Sequence, residues 1–230
     1  MPRYTGDWVV IESELRGETL DQQDRQQQIL ARLAETYADA KTALNYRNPF
    51  ELLIATILAA QSTDKQVNII TGPLFEKYPD PESFARLTPE ELEQDIKKVG
   101  LYKNKSRNII AACRLLLEKH QGQVPASRED LEKLPGVGRK TANVVLSIAF
   151  GRPALAVDTH VFRVANRLGL AQAKNPLETE KQLCALIPEE HWSQAHHWLI
   201  YHGRQVCKAR NPLCDQCVVA DYCPAGLELK

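Results

Sequence analysis

The sequence predicts an all-α protein, and three observations carry that prediction. No segment of the 230 residues alternates apolar and polar side chains over the length of a strand. Apolar residues instead recur at three- and four-residue spacing, as in Ile29, Leu30, Leu33 and Tyr37. Pro79, Pro81, Gly100 and Gly122 punctuate these stretches where helices should stop and start.

The elements follow in order. Residues 1–20 have no clear period and read as a loosely ordered N-terminal extension. An amphipathic helix is expected over 22–38. Pro49 opens a second helix through residue 60, apolar almost all round and therefore buried. Shorter helices follow over 63–77, 81–86, 89–99 and 103–119. Ser127 is placed to cap the next helix, with Glu129 and Asp130 in its first turn, and that helix ends at a turn over 134–138. A helix over 139–150 is broken by Gly151 and Pro153. The short apolar run 154–157 reads as extended. Asp158 caps a helix to residue 168, and further helices fit 177–186 and 190–205.

A chain that is 43% hydrophobic and 25% charged can bury a full core, as one large domain or two modest ones. Its formal net charge is zero, so bulk electrostatics do not announce a nucleic-acid binder. The distribution is less even. Residues 1–40 carry eight acidic and four basic side chains, leaving 25 basic against 21 acidic in the remainder. Basic clusters lie at Lys97, Lys98, Lys103, Lys105 and Arg107, at Arg139 and Lys140, and at Arg204, Lys208 and Arg210. Such clusters are more often solvated helix faces than binding sites. The longest apolar run, 52–60, is too short for a membrane span, and Asp7, Glu12, Glu14 and Glu18 argue against a secretory signal. A soluble, cytoplasmic protein is expected, with Cys113 and Cys184 as reduced thiols.

The chemistry concentrates at two places. In LPGVGRKTANVV (134–145), Gly136 and Gly138 permit a tight turn and close backbone approach to a ligand. The helix opening at Arg139 then presents backbone N–H groups and a positive dipole end, a seat for phosphate. Lys140 supplies an amine there, and Asp158 follows eighteen residues later. A phosphate seat, a nucleophile and an anion point to covalent chemistry on a nucleic-acid backbone. A phosphate-binding cation at Lys140 and a plain helix cap at Asp158 are the simpler readings. The second place is C-x6-C-x2-C-x5-C at Cys207, Cys214, Cys217 and Cys223. Four cysteines this dense point to a metal, and their spacing leaves zinc and an iron–sulfur cluster equally open. Lys208 and Arg210, inside the first loop of this cluster, suit phosphate contact.

The Lys140 hairpin, VDTHVFRV (157–164), HHWLIYHG (196–203) and the four-cysteine spacing together closely resemble the endonuclease III family. These are bifunctional DNA glycosylase/AP lyases of the helix-hairpin-helix superfamily, and the resemblance covers roughly residues 22–223. It implies a helical barrel over 42–153, and an iron–sulfur domain over 21–41 and 154–230 with a [4Fe-4S] cluster on the four cysteines. A DNA-binding cleft flanked by the two domains is implied as well. So is a monomer that binds double-stranded DNA containing damaged pyrimidines or abasic sites. Lys140 would be the nucleophile, with its pKa lowered by burial and by the helix end, because a free lysine is mostly protonated at neutral pH. Asp158 pulls the other way, so its use would lie in stabilising the cationic sugar or accepting the lysine proton. Gln61, in AAQSTD (59–64), and Leu101, in VGLY (99–102), match family residues that fill the space left by a flipped nucleotide. Alone, Gln61 fits a helix-end amide bond and Leu101 ordinary cap packing. The adenine-specific mismatch glycosylase shares the cysteine pattern but uses a glutamate where residues 52–60 here contain no acid. A thymine mismatch glycosylase is a closer rival, against which Lys140 favours lyase chemistry, and a non-enzymatic DNA clamp is the rival of a different class, which borohydride trapping would separate.

Overall fold

The computed structural model describes residues 21–227. The expected N-terminal extension, residues 1–20, lies outside them. Among the described residues every regular element is helical: α1 Gln22–Thr36, α2 Pro49–Ala59, α3 Asp64–Lys77, α4 Pro81–Ala85, α5 Pro89–Ile96 and α6 Tyr102–His120. Then come α7 Arg128–Lys133, α8 Arg139–Phe150, α9 Thr159–Arg167, α10 Pro176–Leu186, α11 Trp192–Gln205 and α12 Pro224–Leu227.

Local chemistry sets most of these boundaries. Asn48, Thr63, Ser127, Asp158 and Asn175 each accept backbone N–H bonds at the start of the helix that follows. Each such cap stabilises its helix by about 1 kcal/mol. Thr88 and Glu91 close a reciprocal capping box on α5. At the other end, Gly151 takes φ +60° and stops α8, a conformation that penalises any Cβ.

Two expectations need correction. The helix expected over 190–205 begins as a tight turn, Glu189–His191, because the carbonyl of Pro188 accepts from the amide of His191. The α-helix proper starts at Trp192. The helix expected over 89–99 ends at Ile96, and residues 97–99 form a turn closed by Val99 N–H on the Ile96 carbonyl. Residues 154–157, expected to be extended, lie outside any helix and pair with no strand among the described residues. The Leu155 carbonyl instead accepts from the buried Asn143 side chain at 2.9 Å.

The chain forms two compact units, Thr42–Ala156 and, from both ends, Met1–Lys41 with Val157–Lys230. In the first, α2 packs on α3, α6 and α8, and α6 also packs on α4 and α5. Leu52, Leu53, Ile54 and Leu58 of α2 are fully buried, each contributing about 1.5–3 kcal/mol of hydrophobic stabilisation. Ala154 belongs to this core, so the seam falls after residue 156 rather than after 153. In the second unit, α11 packs on α1 and α9, and α10 on α9. Gly203 permits the close α9–α11 approach: a Cβ there would lie 3.0 Å from Val164 Cγ2 and 3.2 Å from His160 Cβ. No helix among the described residues is long and apolar enough to cross a membrane.

Candidate functional site

The hairpin is built by α7, the turn 134–138 and α8. Leu131, Leu134 and Val137 are buried and anchor the turn from beneath. Gly136 has φ +81°, and a Cβ on it would lie 3.0 Å from Asn108 Cβ, so the fold itself requires glycine there. Gly138 differs. Its φ is an ordinary −96°, and a Cβ would meet nothing within 4 Å. Gly138 is the N-cap of α8, a position that favours glycine, and the open space beside it leaves room for a ligand backbone to approach. The N-cap Gly138 offers no capping side chain and the first turn of this twelve-residue helix contains no acid, so its positive end is available to an anion. Arg139 is half-buried, with Glu132 at 4.0 Å, and Lys140 is exposed. The burial expected for Lys140 is therefore absent from the free protein.

Asp158 sits in the other unit as the N-cap of α9, partly exposed. Its Oδ1 accepts from the amides of His160 and Val161, both at 2.8 Å. The body of α9 holds the first cysteine loop. Arg163 donates to the carbonyls of Gly203 and Cys207, and Arg167 to those of Lys208 and Ala209. Lys208 and Arg210 thus stand exposed on a loop whose backbone is pinned by the guanidiniums of Arg163 and Arg167.

The four cysteines are free thiols around a cavity of about 470 Å3, lined also by Leu168, His202 and Leu213. Burial pushes the Cys217 and Cys223 thiols up, and the neighbouring cysteines push the same way. Thiolates here need a compensating cation, so the donor set fits a metal cluster. His202 is fully buried behind it, lowered to about 4 by burial and therefore neutral. Its Nδ1 meets the Tyr37 hydroxyl at 3.1 Å and its Nε2 lies 3.7 Å from Cys217 Sγ.

Gln61 and Leu101 lie forty residues apart, yet the fold brings their turns together. Both take the left-handed conformation, φ 56° and 57°, which is strained for residues bearing a Cβ. Leu101 is 54% exposed, and Gln61 is exposed beside it. A Cβ on Gly100 would lie 2.9 Å from the Gln61 carbonyl oxygen. Lys105 overturns one sequence expectation. It belongs to no solvated basic face; it is 4% exposed and reaches the carbonyls of Leu58 and Ala60.

Comparison with known proteins decides the family. Residues 54–189 match the model of the HhH-GPD superfamily base excision DNA repair proteins, and residues 207–223 match the iron–sulfur binding domain of endonuclease III. Endonuclease III of Rickettsia conorii is 49% identical over 209 residues, covering 89% of this chain and all of that protein. The chain belongs to the endonuclease III family. The Escherichia coli K12 enzyme is 50% identical, with 85% of this chain and 93% of that protein covered. A solved structure, a trapped endonuclease III–DNA covalent intermediate described as an estranged-adenine complex, superposes with a TM-score of 0.87 at 50% identity. It covers 92% of this chain and 99% of its own. As a family member the protein is a base excision repair enzyme, a DNA glycosylase with AP lyase activity, and it carries an iron–sulfur binding domain.

Sequence reasoning missed Lys105, Asn143, Arg163, Arg167 and the Tyr37–His202 pair. A lysine four residues after Gly-Leu was the available signal for the first. His202 stood in a segment already singled out, without a role.

Proposed function

We propose that Lys140 is the nucleophile of a glycosylase/lyase that excises damaged, chiefly oxidised, pyrimidines from double-stranded DNA. The observation that carries this reading is the placement of Lys140. It lies in the first turn of a helix whose N-cap is a glycine with no capping side chain, directly after the tight turn at Gly136. A 50% identical relative caught as a covalent DNA intermediate supports the same chemistry. The DNA phosphate would lie against Gly136, Gly138 and Arg139, excluding water from the amine that the free protein leaves exposed. Lys140 Nζ attacks C1′ of the flipped nucleotide, the C1′–N bond to the base breaks, and the base leaves with a proton; the nitrogen lone pair then opens the C1′–O4′ bond, O4′ takes up a proton, and a protonated Schiff base remains. The resulting Schiff base acidifies C2′–H, and loss of that proton breaks the C3′–O bond 3′ to the lesion. Asp158 stabilises the cationic sugar as the base departs. Gln61 faces the orphaned base and Leu101 wedges the stack. Borohydride trapping on a duplex with one oxidised pyrimidine tests the reading: a covalent adduct is expected, and its absence with free base released would make the enzyme monofunctional.

A [4Fe-4S] cluster on Cys207, Cys214, Cys217 and Cys223 is the cofactor of this reading, supported by the ring of four thiols. Bound there, it would cross-link the 207–223 segment through these four cysteines and so steady the Lys208–Arg210 loop. Anaerobically purified protein is expected to be yellow-brown, with about four iron and four sulfide per chain. Stoichiometric zinc without iron would refute this. Cys113→Ser and Cys184→Ser should leave the metal content unchanged.

The protein acts as a cytoplasmic monomer, its barrel domain ending at Ala156 and its cluster domain resuming at Val157. Affinity for DNA should fall steeply with salt despite the zero net charge, by a slope of about −0.9 per phosphate neutralised. Neutralising Arg139, Lys208 or Arg210 singly should each reduce that slope by roughly one unit. Damaged and undamaged duplexes should weaken by similar factors, because phosphate contacts position without reading bases. An unchanged slope would remove that residue from the interface.

A further inference from the structure

Lys105 is an expensive residue to bury, and its surroundings explain what it does. Its ammonium donates to the Leu58 carbonyl at 2.8 Å, the Ala60 carbonyl at 2.5 Å and, more weakly, Ser62 Oγ at 3.5 Å. These are the last-turn carbonyls of α2 and the residue just beyond Gln61. A helix end leaves such carbonyls without intrahelical partners, and its negative pole attracts a cation. The lysine comes from the other turn. It sits four residues after Leu101, and its own amide bonds the Leu101 carbonyl at 3.0 Å, as does that of Asn104. Ser62 Oγ also accepts from the Gly100 amide at 3.1 Å. Two strained, exposed tips are therefore fastened to each other from beneath by one side chain. Burial lowers the lysine pKa, a cost that apolar packing alone would not require.

We propose that Lys105 is the positioning residue of the Gln61–Leu101 pair, joining the two tips into one rigid wedge that enters the DNA as a unit. This rests on the reading of Gln61 and Leu101 as DNA-intruding residues. Rigidity matters because the tips must displace a stacked nucleotide. Loose tips would fold back on the protein instead, and misplacement by about 1 Å can cost on the order of 10²-fold in rate.

The test is single-turnover excision of a base-paired lesion, with a 2-aminopurine beside the lesion to report flipping. Lys105→Met should slow excision and the fluorescence rise together by on the order of 10²-fold. Cleavage of a preformed abasic site, salt slope and affinity for undamaged duplex should stay at wild-type values. A merely structural lysine would instead lower all of these along with the melting temperature, which would overturn the proposal. Gln61→Ala and Leu101→Ala test the underlying reading separately. If both excise at the wild-type rate, there is no wedge to position and the proposal fails with its premise. If they are slow while Lys105→Met is normal, the wedge stands and Lys105 is not its support. In a Gln61→Ala/Leu101→Ala background, Lys105→Met should add no further loss, and an additive loss would sink the assignment. Should Lys105→Met not fold, Gly100→Ala carries the test, since its Cβ would press on the Gln61 carbonyl. It should reproduce the same selective loss, and wild-type excision by Gly100→Ala would overturn the rigid-wedge claim.

Discussion

Lys140→Ala is expected to abolish borohydride trapping altogether and to slow base excision by on the order of 10⁴-fold or more, the scale of losing a nucleophile. Folding should be almost untouched. Lys140 is exposed, it supports no core, and alanine is the better helix former, so the stability change should lie within about 0.5 kcal/mol. Affinity for DNA should fall modestly, by one lost cation near phosphate. Lys140→Gln keeps the length and polarity of the side chain without a nucleophilic amine, and should behave the same way. The measurement is a gel of borohydride-treated complexes alongside single-turnover excision. A trapped adduct in either variant would move the Schiff base to another amine. Loss of both DNA binding and thermal stability would instead make Lys140 a structural cation.

The helices were legible because their ends are set locally. Pro49 at the start of α2, Ser127 before α7 and Gly151 after α8 each act through backbone geometry within a few residues of themselves. The hairpin was legible for the same reason, since a turn needing φ +81° at Gly136 writes itself as glycine. What stayed hidden is non-local. Lys105 reads as part of a basic run with Lys103 and Arg107, and only partners forty-five and forty-seven residues away bury it. Arg163 and Arg167 look like the polar face of α9, and their acceptors lie some forty residues on. The left-handed Gln61 and Leu101 carry no glycine to announce the strain. The single turns Cys214–Gln216 and Ala220–Tyr222 are too short to show any period. Lys140 was correctly placed on the helix opening, but the burial expected for it does not arise from the protein alone.

Asp158→Asn should separate two roles that one carboxylate combines. Its Oδ1 caps α9 by accepting from His160 and Val161, and an asparagine oxygen can accept both bonds, since Asn caps as well as Asp. Melting temperature should therefore be unchanged in Asp158→Asn, whereas Asp158→Ala should lose about 1 kcal/mol with the cap. What asparagine removes is the charge. If that charge stabilises the cationic sugar as the base departs, excision should fall by on the order of 10²–10³-fold, comparable to deleting one preorganised electrostatic contact. Lesion DNA should bind as well as before or more tightly, because an anion near phosphate has been neutralised. The decisive comparison is between a base-bearing lesion and a preformed abasic site. On the abasic site no base must leave, so the loss should be much smaller. Equal losses on both, together with a lower melting temperature in Asp158→Asn, would reduce Asp158 to a helix cap that positions α9, and the electrostatic role would have to be reassigned.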